Sequence, residues 1–299
     1  MSNPLVFDRH LLRARRRRAE ALGPATFLVD RVADDMADRL SAVLRRFAWA
    51  VDLGTPTDAV RRALTGLDAI GTVIQVGTLA LDHNIRGGLN VVADEETLPF
   101  RDASLDLVVS ALALQFLNDL PGALAQIRRA LRPDGLFLAA LIGGDSLAEL
   151  RQSFAAAEAE VEGGASPRVA PFADLGAMGA LLQRAGFALP VADIDRIVVR
   201  YASPFGLMDD LRRMAATNAL IERRRVPLRR ATLRRMSEIY GTRFADADGR
   251  IRATFEIVWL SGWAPHASQQ RPLAPGSAKR RLADALGVEE IPAGDTAKP

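Results

Sequence analysis

The segment AVDLGTPTDAV, residues 50–60, has residue types that suit a nucleotide-binding turn at the end of a buried strand. Asp52 and Gly54 end the apolar run, and a glycine lets backbone N–H groups approach a ligand because it has no Cβ. Pro56 and Asp58 stand where further glycines are expected. Pro56 removes one N–H donor and fixes the backbone, and Asp58 adds a negative charge. Both the shape and the charge of this turn are therefore unfavourable for binding an anionic ligand.

Other residue types that carry chemistry are scarce. The chain has no cysteine, which excludes disulfides, thiolate nucleophiles and cysteine-ligated metals. Its three histidines, His10, His83 and His266, lie far apart and lack the paired spacing of a metal-binding helix. Only a long-range pairing such as His83 with His266 could build an iron site of two histidines and a carboxylate, so no metal is expected.

The elements that must position these residues form an α/β pattern. Two amphipathic segments, residues 5–22 and 26–46, have the helical period, and the first carries a block of arginines. Between residues 47 and 144, short apolar β-branched runs alternate with helical segments. Such runs predict a doubly wound, mostly parallel sheet that is covered on both faces.

The second half of the chain has a different order. A strand near residue 200 precedes two arginine-rich helical stretches, predicted at about 204–224 and 227–244, and a long strand follows them. This order predicts an antiparallel hairpin that carries a helical cap. We therefore predict an N-terminal basic arm over residues 1–46, one domain over 47–265 with the cap inserted at about 204–244, and a tail over 266–299.

The charge pattern bears on partners and location. Residues 196–235 contain 11 arginines and three acidic residues, which suits an acidic protein or an anionic membrane surface. Nucleic acid is not expected, because the arginines are not interleaved with aromatic residues. The apolar runs are shorter than a membrane span, and residues 1–22 lack the apolar region of a secretory signal. We expect a cytoplasmic protein, with peripheral contact to the cytoplasmic membrane as a further hypothesis.

The order of strands and helices resembles that of the class I S-adenosylmethionine-dependent methyltransferases, which have a Rossmann-like sheet of seven mostly parallel strands. Specific motifs over residues 5–286 are similar to the NADH:ubiquinone oxidoreductase complex assembly factor 5 family. The similarity to malonyl-carrier-protein methyltransferases is weaker and is expected only over the central fold. The motifs of the first resemblance read VFDRHLLRARRRRA, VVADEETLPF, LDLVVSALALQFLNDLPGAL, LRPDGLFLAALIGGDSLAELR, EGGASPRVAPF, LLQRAGF and GWAPHASQQRPLAPGSAK.

The resemblance to the assembly factor family implies a protein-directed role. Members are methyltransferase-like proteins of mitochondria and alphaproteobacteria. The family is credited with hydroxylating an arginine on the iron–sulfur subunit of complex I, near the quinone site and early in assembly at the inner membrane. An iron–sulfur subunit of complex I is therefore the implied partner.

The superfamily resemblance also implies a cofactor site for S-adenosylmethionine. Asp52 and Gly54 match the strand-end acid and the first loop glycine, which contact the methionine part of the cofactor. The second strand should end in an acid that holds the ribose hydroxyls, but Gly77 stands there and Asp82 follows five residues later. Hydrogen bonds to a charged acceptor contribute about 1.5–3 kcal/mol each, so cofactor binding is predicted to be weak.

Four further residues are implied to surround this site. Asp94 and Glu95 match positions that meet the adenine, although the same acids could cap the following turn. Ser110 and Gln115 are expected to face the methyl-transfer cleft, and Gln115 is a candidate catalytic residue. Neighbouring apolar residues are better explained as core.

Two residues later in the chain are weaker candidates. Arg168 lies in a segment rich in glycine, serine and proline and could bind a carboxylate. His266 lies in a motif of the family and could transfer protons, although a lone histidine is more often structural.

The leading hypothesis is a methyltransferase-fold protein that docks on a complex I subunit through its arginine-rich cap and either modifies an arginine or acts as a chaperone. Its S-adenosylmethionine site is predicted to be degenerate because of Pro56, Asp58 and Gly77. The alternative is a functional methyltransferase that acts on a carrier protein or a small carboxylic acid. A third hypothesis is membrane binding by the arm without catalysis.

Overall fold

The computed structural model describes residues 5–79, 89–170, 175–270, 277 and 281–288. Contacts between Cα atoms divide the chain into two compact units, Met1–Pro265 and His266–Pro299. The first unit contains the sheet, the N-terminal helices and the cap. The second unit has one short helix among its described residues.

The first unit alternates strands and helices in the predicted order. Its helices are α1 (Arg9–Leu22), α2 (Phe27–Ser41), α3 (Ala59–Thr65), α4 (Leu120–Ala130), α5 (Ala148–Glu162), α6 (Leu175–Arg184), α7 (Pro204–Arg213) and α8 (Arg230–Phe244). Its strands are β1 (Phe47–Leu53), β2 (Ile70–Gly77), β3 (Leu89–Val92), β4 (Leu105–Ala111), β5 (Leu131–Ile142), β6 (Ala188–Tyr201) and β7 (Ile251–Trp263). Helix α9 (Leu282–Leu286) belongs to the second unit.

The seven strands form one sheet in the order β3-β2-β1-β4-β5-β7-β6. Strands β1 to β5 pair in parallel, and β7 runs antiparallel to both of its neighbours. The predicted seven-stranded, mostly parallel sheet is therefore confirmed. Parallel strands place their carboxyl ends at one edge, where open α/β folds bind ligands.

Alternation of side chains along the strands builds a core on each face of the sheet. In β4, Leu107 and Val109 face one core, and Val108 faces the other. Helices α2, α3, α5, α7 and α8 cover the first face, and α4 and α6 cover the second. Both faces are covered, which explains why the central strands are apolar along nearly their whole length.

The cap differs in detail from its prediction. Helix α7 ends at Arg213 rather than near residue 224. The reason is that Ala215 adopts a left-handed backbone conformation, with φ of 57°, which a right-handed helix cannot contain. The chain then turns back, and Leu220 forms an antiparallel bridge with Phe7. The cap is thus two helices joined by an irregular segment that contacts the N-terminus of the chain.

The N-terminal helices are integrated into the first unit. Helix α2 buries Val32 and Met36 completely against the sheet, and the N–H of Asp8 donates to the carbonyl of Ala219 at 2.8 Å. None of the described helices combines the length and the apolarity that crossing a membrane requires.

Candidate functional site

A cavity of about 520 Å³ lies at the carboxyl ends of the parallel strands. The turn after β1 forms one wall, with the ends of β2 and β3 and the turn after β4 beside it. Helix α1, the linker to α2 and the segment after α7 form the opposite wall. Its apolar side chains come mainly from α2, α5 and α7, and include Leu28, Val29, Leu150, Phe154, Met208 and Leu211.

The turn after β1 keeps its first glycine for a steric reason. Gly54 has φ of 75°, and a Cβ there would lie 3.0 Å from Cγ of Glu95. Pro56 and Asp58 both line the cavity. The Asp58 carboxylate does not cap α3 and instead accepts from Nε of Arg62 at 3.1 Å. The turn therefore presents a proline ring and a carboxylate to the cavity, as its sequence predicts.

Asp52 braces this turn from behind the cavity wall. Its carboxylate is fully buried and accepts a hydrogen bond from the Thr55 hydroxyl, which in turn accepts from the N–H of Ala111 at 3.1 Å. Its Oδ2 atom has no hydrogen-bond partner among the described residues. Burial raises the pKa of Asp52 to about 7, against the lowering effects of Thr55 and Arg61. Asp52 is not among the residues that line the cavity.

The end of β2 lacks the acid that would hold a ribose. Gly77 lines the cavity, and a Cβ built on it would have no atom within 4 Å, so a larger side chain would fit. Asp82 and His83 lie outside the described residues. Gln75, which pairs with Asp52 across β1 and β2, donates from Nε2 to the Thr57 carbonyl at 2.7 Å and so fixes the turn.

Asp94 and Glu95 are occupied by arginines of α1. Arg9 forms ion pairs with Asp94 and Glu95, and its NH1 lies 3.0 Å from Oε2 of Glu96. Arg16 reaches the other oxygen of Glu95 at 3.1 Å. We call these five residues the arm clamp. The side chain of Glu95 is 2% exposed, so both of its oxygens are engaged away from water.

The electrostatics of the arm clamp agree with its geometry. Burial acts to raise the pKa of Asp94, but the N–H of Glu96 and the Arg9 guanidinium outweigh it and lower that pKa. Burial acts to lower the pKa of Arg9, but the carboxylates of Glu95 and Asp94 outweigh it and raise that pKa. The sequence analysis did not identify Arg9 and Arg16 as partners of these acids, although their seven-residue spacing places both on one face of a helix.

The turn after β4 contributes Gln115 but not Ser110. Ser110 is fully buried, donates to the Leu53 carbonyl at 2.7 Å, and is not among the residues that line the cavity. This differs from the expected position in the cleft, because the side chain faces β1 within the sheet. Gln115 lines the cavity, and its Nε2 donates to the Leu112 carbonyl at 2.8 Å.

Arg168 and His266 have local partners. Arg168 lines the cavity but already binds Glu158, a carboxylate of α5 that is 1% exposed, so its predicted carboxylate partner is internal. His266 is the first residue of the second unit, where its Nδ1 lies 2.7 Å from Oγ of Ser268. Its role in proton transfer stays a prediction. No three His, Asp or Glu side chains form a metal-binding group in the part of the chain that the structure describes.

Comparison with known proteins identifies similarity over the fold and over the whole chain. Residues 51–139 match a family model described as a methyltransferase domain. The chain is 40% identical to mouse mitochondrial arginine-hydroxylase NDUFAF5 over 296 residues, which cover 96% of this chain and 85% of the relative. The structure of the YcgJ protein of Bacillus subtilis has a TM-score of 0.52 at 13% identity and covers 79% of this chain and 100% of that one.

A second type of relative corrects one expectation. The chain is 35% identical over 296 residues to a malonyl-[acyl-carrier protein] O-methyltransferase of Laribacter hongkongensis, covering 92% of this chain and 96% of the relative. Similarity to that class therefore extends far beyond the central fold, to which the sequence analysis confined it. The arm and the cap, which flank the central fold, are part of the compared length.

The residues at the cavity fit S-adenosylmethionine poorly. The volume and the position of the cavity suit a nucleoside, and Gly54 keeps the backbone of the turn open. However, Gly77 offers no acceptor to a ribose, Asp58 opposes a carboxylate, and Asp94 and Glu95 are already ion-paired. We therefore derive no chemical step through this cofactor.

Removal of both arginines of the arm clamp should destabilise the fold. In the double variant Arg9→Gln and Arg16→Gln, Glu95 is left as a buried carboxylate without an ionic partner. We expect the free energy of unfolding to fall by about 3–5 kcal/mol in urea denaturation. Arg17→Gln, on the exposed face of the same helix, is the control and should change it by less than about 0.5 kcal/mol. Equal stability of the double variant and the control would contradict the role given to the arm clamp.

Asp52 should make stability depend on pH. Its pKa is about 7 in the folded chain against 3.8 for an ordinary Asp, so the folded state binds the extra proton between these values. Stability should consequently be highest below pH 4 for this group and fall as pH rises to 7. Relative to Asp52→Asn, the wild type should lose on the order of 4 kcal/mol across that window. If the free energy of unfolding depends on pH in the same way in both proteins, the raised pKa of Asp52 is refuted.

Restoring an acid at the end of β2 should improve nucleoside binding. In Gly77→Asp, open space admits the carboxylate, which can accept from both ribose hydroxyls. In calorimetry, we expect S-adenosylhomocysteine to bind Gly77→Asp at least about 10-fold more tightly than it binds the wild type. Gly77→Asn has the same size without the charge and should gain less. No gain in Gly77→Asp, even when glycines also replace Pro56 and Asp58, would contradict the role given to Gly77 in limiting binding.

Proposed function

The chain belongs to the NDUFAF5 arginine-hydroxylase family, and from this premise we propose that it acts on an arginine of a protein partner during assembly of respiratory complex I. The observation that carries the proposal is the 40% identity to the mouse relative over 96% of this chain. That similarity includes the arm and the cap, which lie outside the matched methyltransferase domain of residues 51–139. An iron–sulfur subunit of complex I is the partner that we propose.

One carboxylate of the cavity lining, that of Asp58, supports a cationic substrate at the turn after β1. The acidic residues of the described lining are Asp58 and Glu20. Asp58 disfavours a ligand carboxylate, and for the same reason it favours a guanidinium, which pairs with carboxylates in a bidentate geometry. Hydroxylation replaces a C–H bond by C–O–H and consumes an oxygen donor. We assign to Asp58 the orientation of the substrate arginine, and we assign no residue to the oxygen donor.

The docking surface is smaller than the charge count suggests. Seven of the 11 arginines in residues 196–235 form ion pairs with acids, so they contribute little net charge. Arg225, Arg229 and Arg230 form no ion pair with described residues and are exposed, the first two between α7 and α8 and the third at the start of α8. Val226 and Phe205, which are 55% and 50% exposed, add apolar area in the same part of the cap. We propose these five residues, the cap surface, as the contact with the partner.

The carrier-protein alternative has one observation in its favour, the 35% identity to the Laribacter hongkongensis relative. The unfilled ribose position at Gly77 argues against it. Binding of S-adenosylmethionine to the wild type with an affinity typical of methyltransferases would favour this alternative over the leading proposal.

Membrane contact is a separate proposal for the outer face of α1. Arg9 and Arg16 point inward, so they are not available to lipid headgroups. Arg17 and Arg18 are exposed, as is Leu22. If this face binds anionic membranes, co-sedimentation with liposomes should depend on Arg17 and Arg18.

The proposed function predicts a separation of docking from modification. In a strain that lacks the gene, the wild type should restore complex I and the oxygen-modified arginine, as seen by mass spectrometry. The triple variant Arg225→Glu, Arg229→Glu and Arg230→Glu should lose co-purification with the subunit and restore neither. Asp58→Asn should retain co-purification but lower the modified fraction at least about 10-fold, because the ionic contact proposed between Asp58 and the guanidinium is lost.

A charge-matched control tests whether docking is specific. Arg46, Arg101 and Arg184 are exposed arginines outside the cap, and their replacement by Glu makes the same change in net charge. This control should behave as the wild type. Normal assembly and an unmodified arginine in the wild-type strain would refute the proposed function, and equal loss in both triple variants would refute the cap surface.

A further inference from the structure

Among the residues that the structure describes, one guanidinium of the cavity lining has no acidic partner. Four arginines line the cavity, and three of them lie near carboxylates: Arg16 near Glu95 at 3.1 Å, Arg168 near Glu158, and Arg212 near Asp209 at 3.5 Å. The fourth, Arg213, forms no ion pair with any residue that the structure describes. In a chain whose cavity arginines are otherwise paired, this difference identifies a place for a ligand anion.

Arg213 is also held in position. Its Nε donates to the carbonyl of Gly23 at 2.7 Å, and its own carbonyl accepts from the N–H of Ala25 at 3.3 Å. The linker between α1 and α2 thus fixes both the backbone and the side chain. The terminal nitrogens NH1 and NH2 have no hydrogen-bond partner in the described ranges. A restrained guanidinium loses little entropy when it binds a planar anion.

The cavity that Arg213 lines also has many apolar residues. Leu28 and Val29 of α2, Leu150 and Phe154 of α5, and Met208 and Leu211 of α7 line the same cavity. A ligand that satisfies both features has a hydrocarbon body and one anionic group. A single guanidinium balances one negative charge, which suits a carboxylate better than a phosphate dianion in an apolar setting.

We propose that this cavity binds a small amphipathic carboxylate whose carboxylate group pairs with Arg213. The proposal goes beyond the proposed function, because the substrate arginine is a cation and would be repelled at this position. The same cavity would then hold a guanidinium at Asp58 and an acid at Arg213. The ligand would then be a second small molecule that occupies the apolar part of the cavity.

Calorimetry with the full-length chain tests this assignment, with decanoate below its micelle concentration as the probe. Decanoate should bind the wild type, and decanol, which has the same body without the charge, should bind at least about 10-fold more weakly. Arg213→Gln should weaken decanoate by about 10- to 100-fold without affecting decanol. Arg101→Gln, at an exposed arginine outside the cavity, should bind decanoate as the wild type does.

Several outcomes would overturn the proposal. These are equal binding of decanol and decanoate, an unchanged affinity in Arg213→Gln, and tighter binding of decyl phosphate than of decanoate through Arg213. Displacement of decanoate by S-adenosylhomocysteine would overturn it too, because Arg213 would then serve the cofactor of the fold. If Arg213→Gln does not fold, the proposal is tested by the affinity of Arg213→Lys for decanoate and by the comparison of decanol with decanoate on the wild type. None of these measurements needs the protein partner, so they can fail independently of the proposed function.

Discussion

The buried carboxylate of Glu95 determines how the N-terminal helix, the sheet and the turn after β1 fit together. A carboxylate that is 2% exposed is stable only when cations and hydrogen-bond donors replace water, and here Arg9 and Arg16 do so. The same side chain lies against Gly54, which leaves no room for a Cβ. One buried charge therefore fixes the position of α1 above the strand ends and the backbone of the turn below it.

This constraint explains why a methyltransferase-like sheet can persist with an altered cavity. Asp94 and Glu95, the acids after β3 that resemble adenine contacts, contribute to the folding of the chain, since they bind α1. Asp52 has likewise become internal, with its pKa raised to about 7 and its neighbour Thr55 linking it to β4. Residues typical of a cofactor site can thus also contribute to stability, because their side chains have partners within the chain.

The sheet could be predicted from the sequence because its information is local. Short apolar runs bounded by turn residues, such as that of β4, indicate the strands. The helical segments between these runs indicate that neighbouring strands pair in parallel. The arm clamp could not be predicted, because pairing of Arg9 with Glu95 joins residues 86 apart in sequence and leaves no periodic signal. The same holds for Ser110, whose type suits a cleft but whose hydroxyl faces β1, and for the early end of α7, which depends on the backbone of Ala215 and on contact with α1.

The bridge between Phe7 and Leu220 has a consequence for biosynthesis. Arg223 and Asp8, which flank that bridge, form an ion pair across 215 residues of sequence. During translation the sheet strands β1 to β5 leave the ribosome long before the segment that receives the N-terminus, and contacts between distant residues form slowly. The packing of Phe7 and Leu12 against Leu220 can therefore form only after the cap segment has been synthesised, whereas the arm clamp can form earlier.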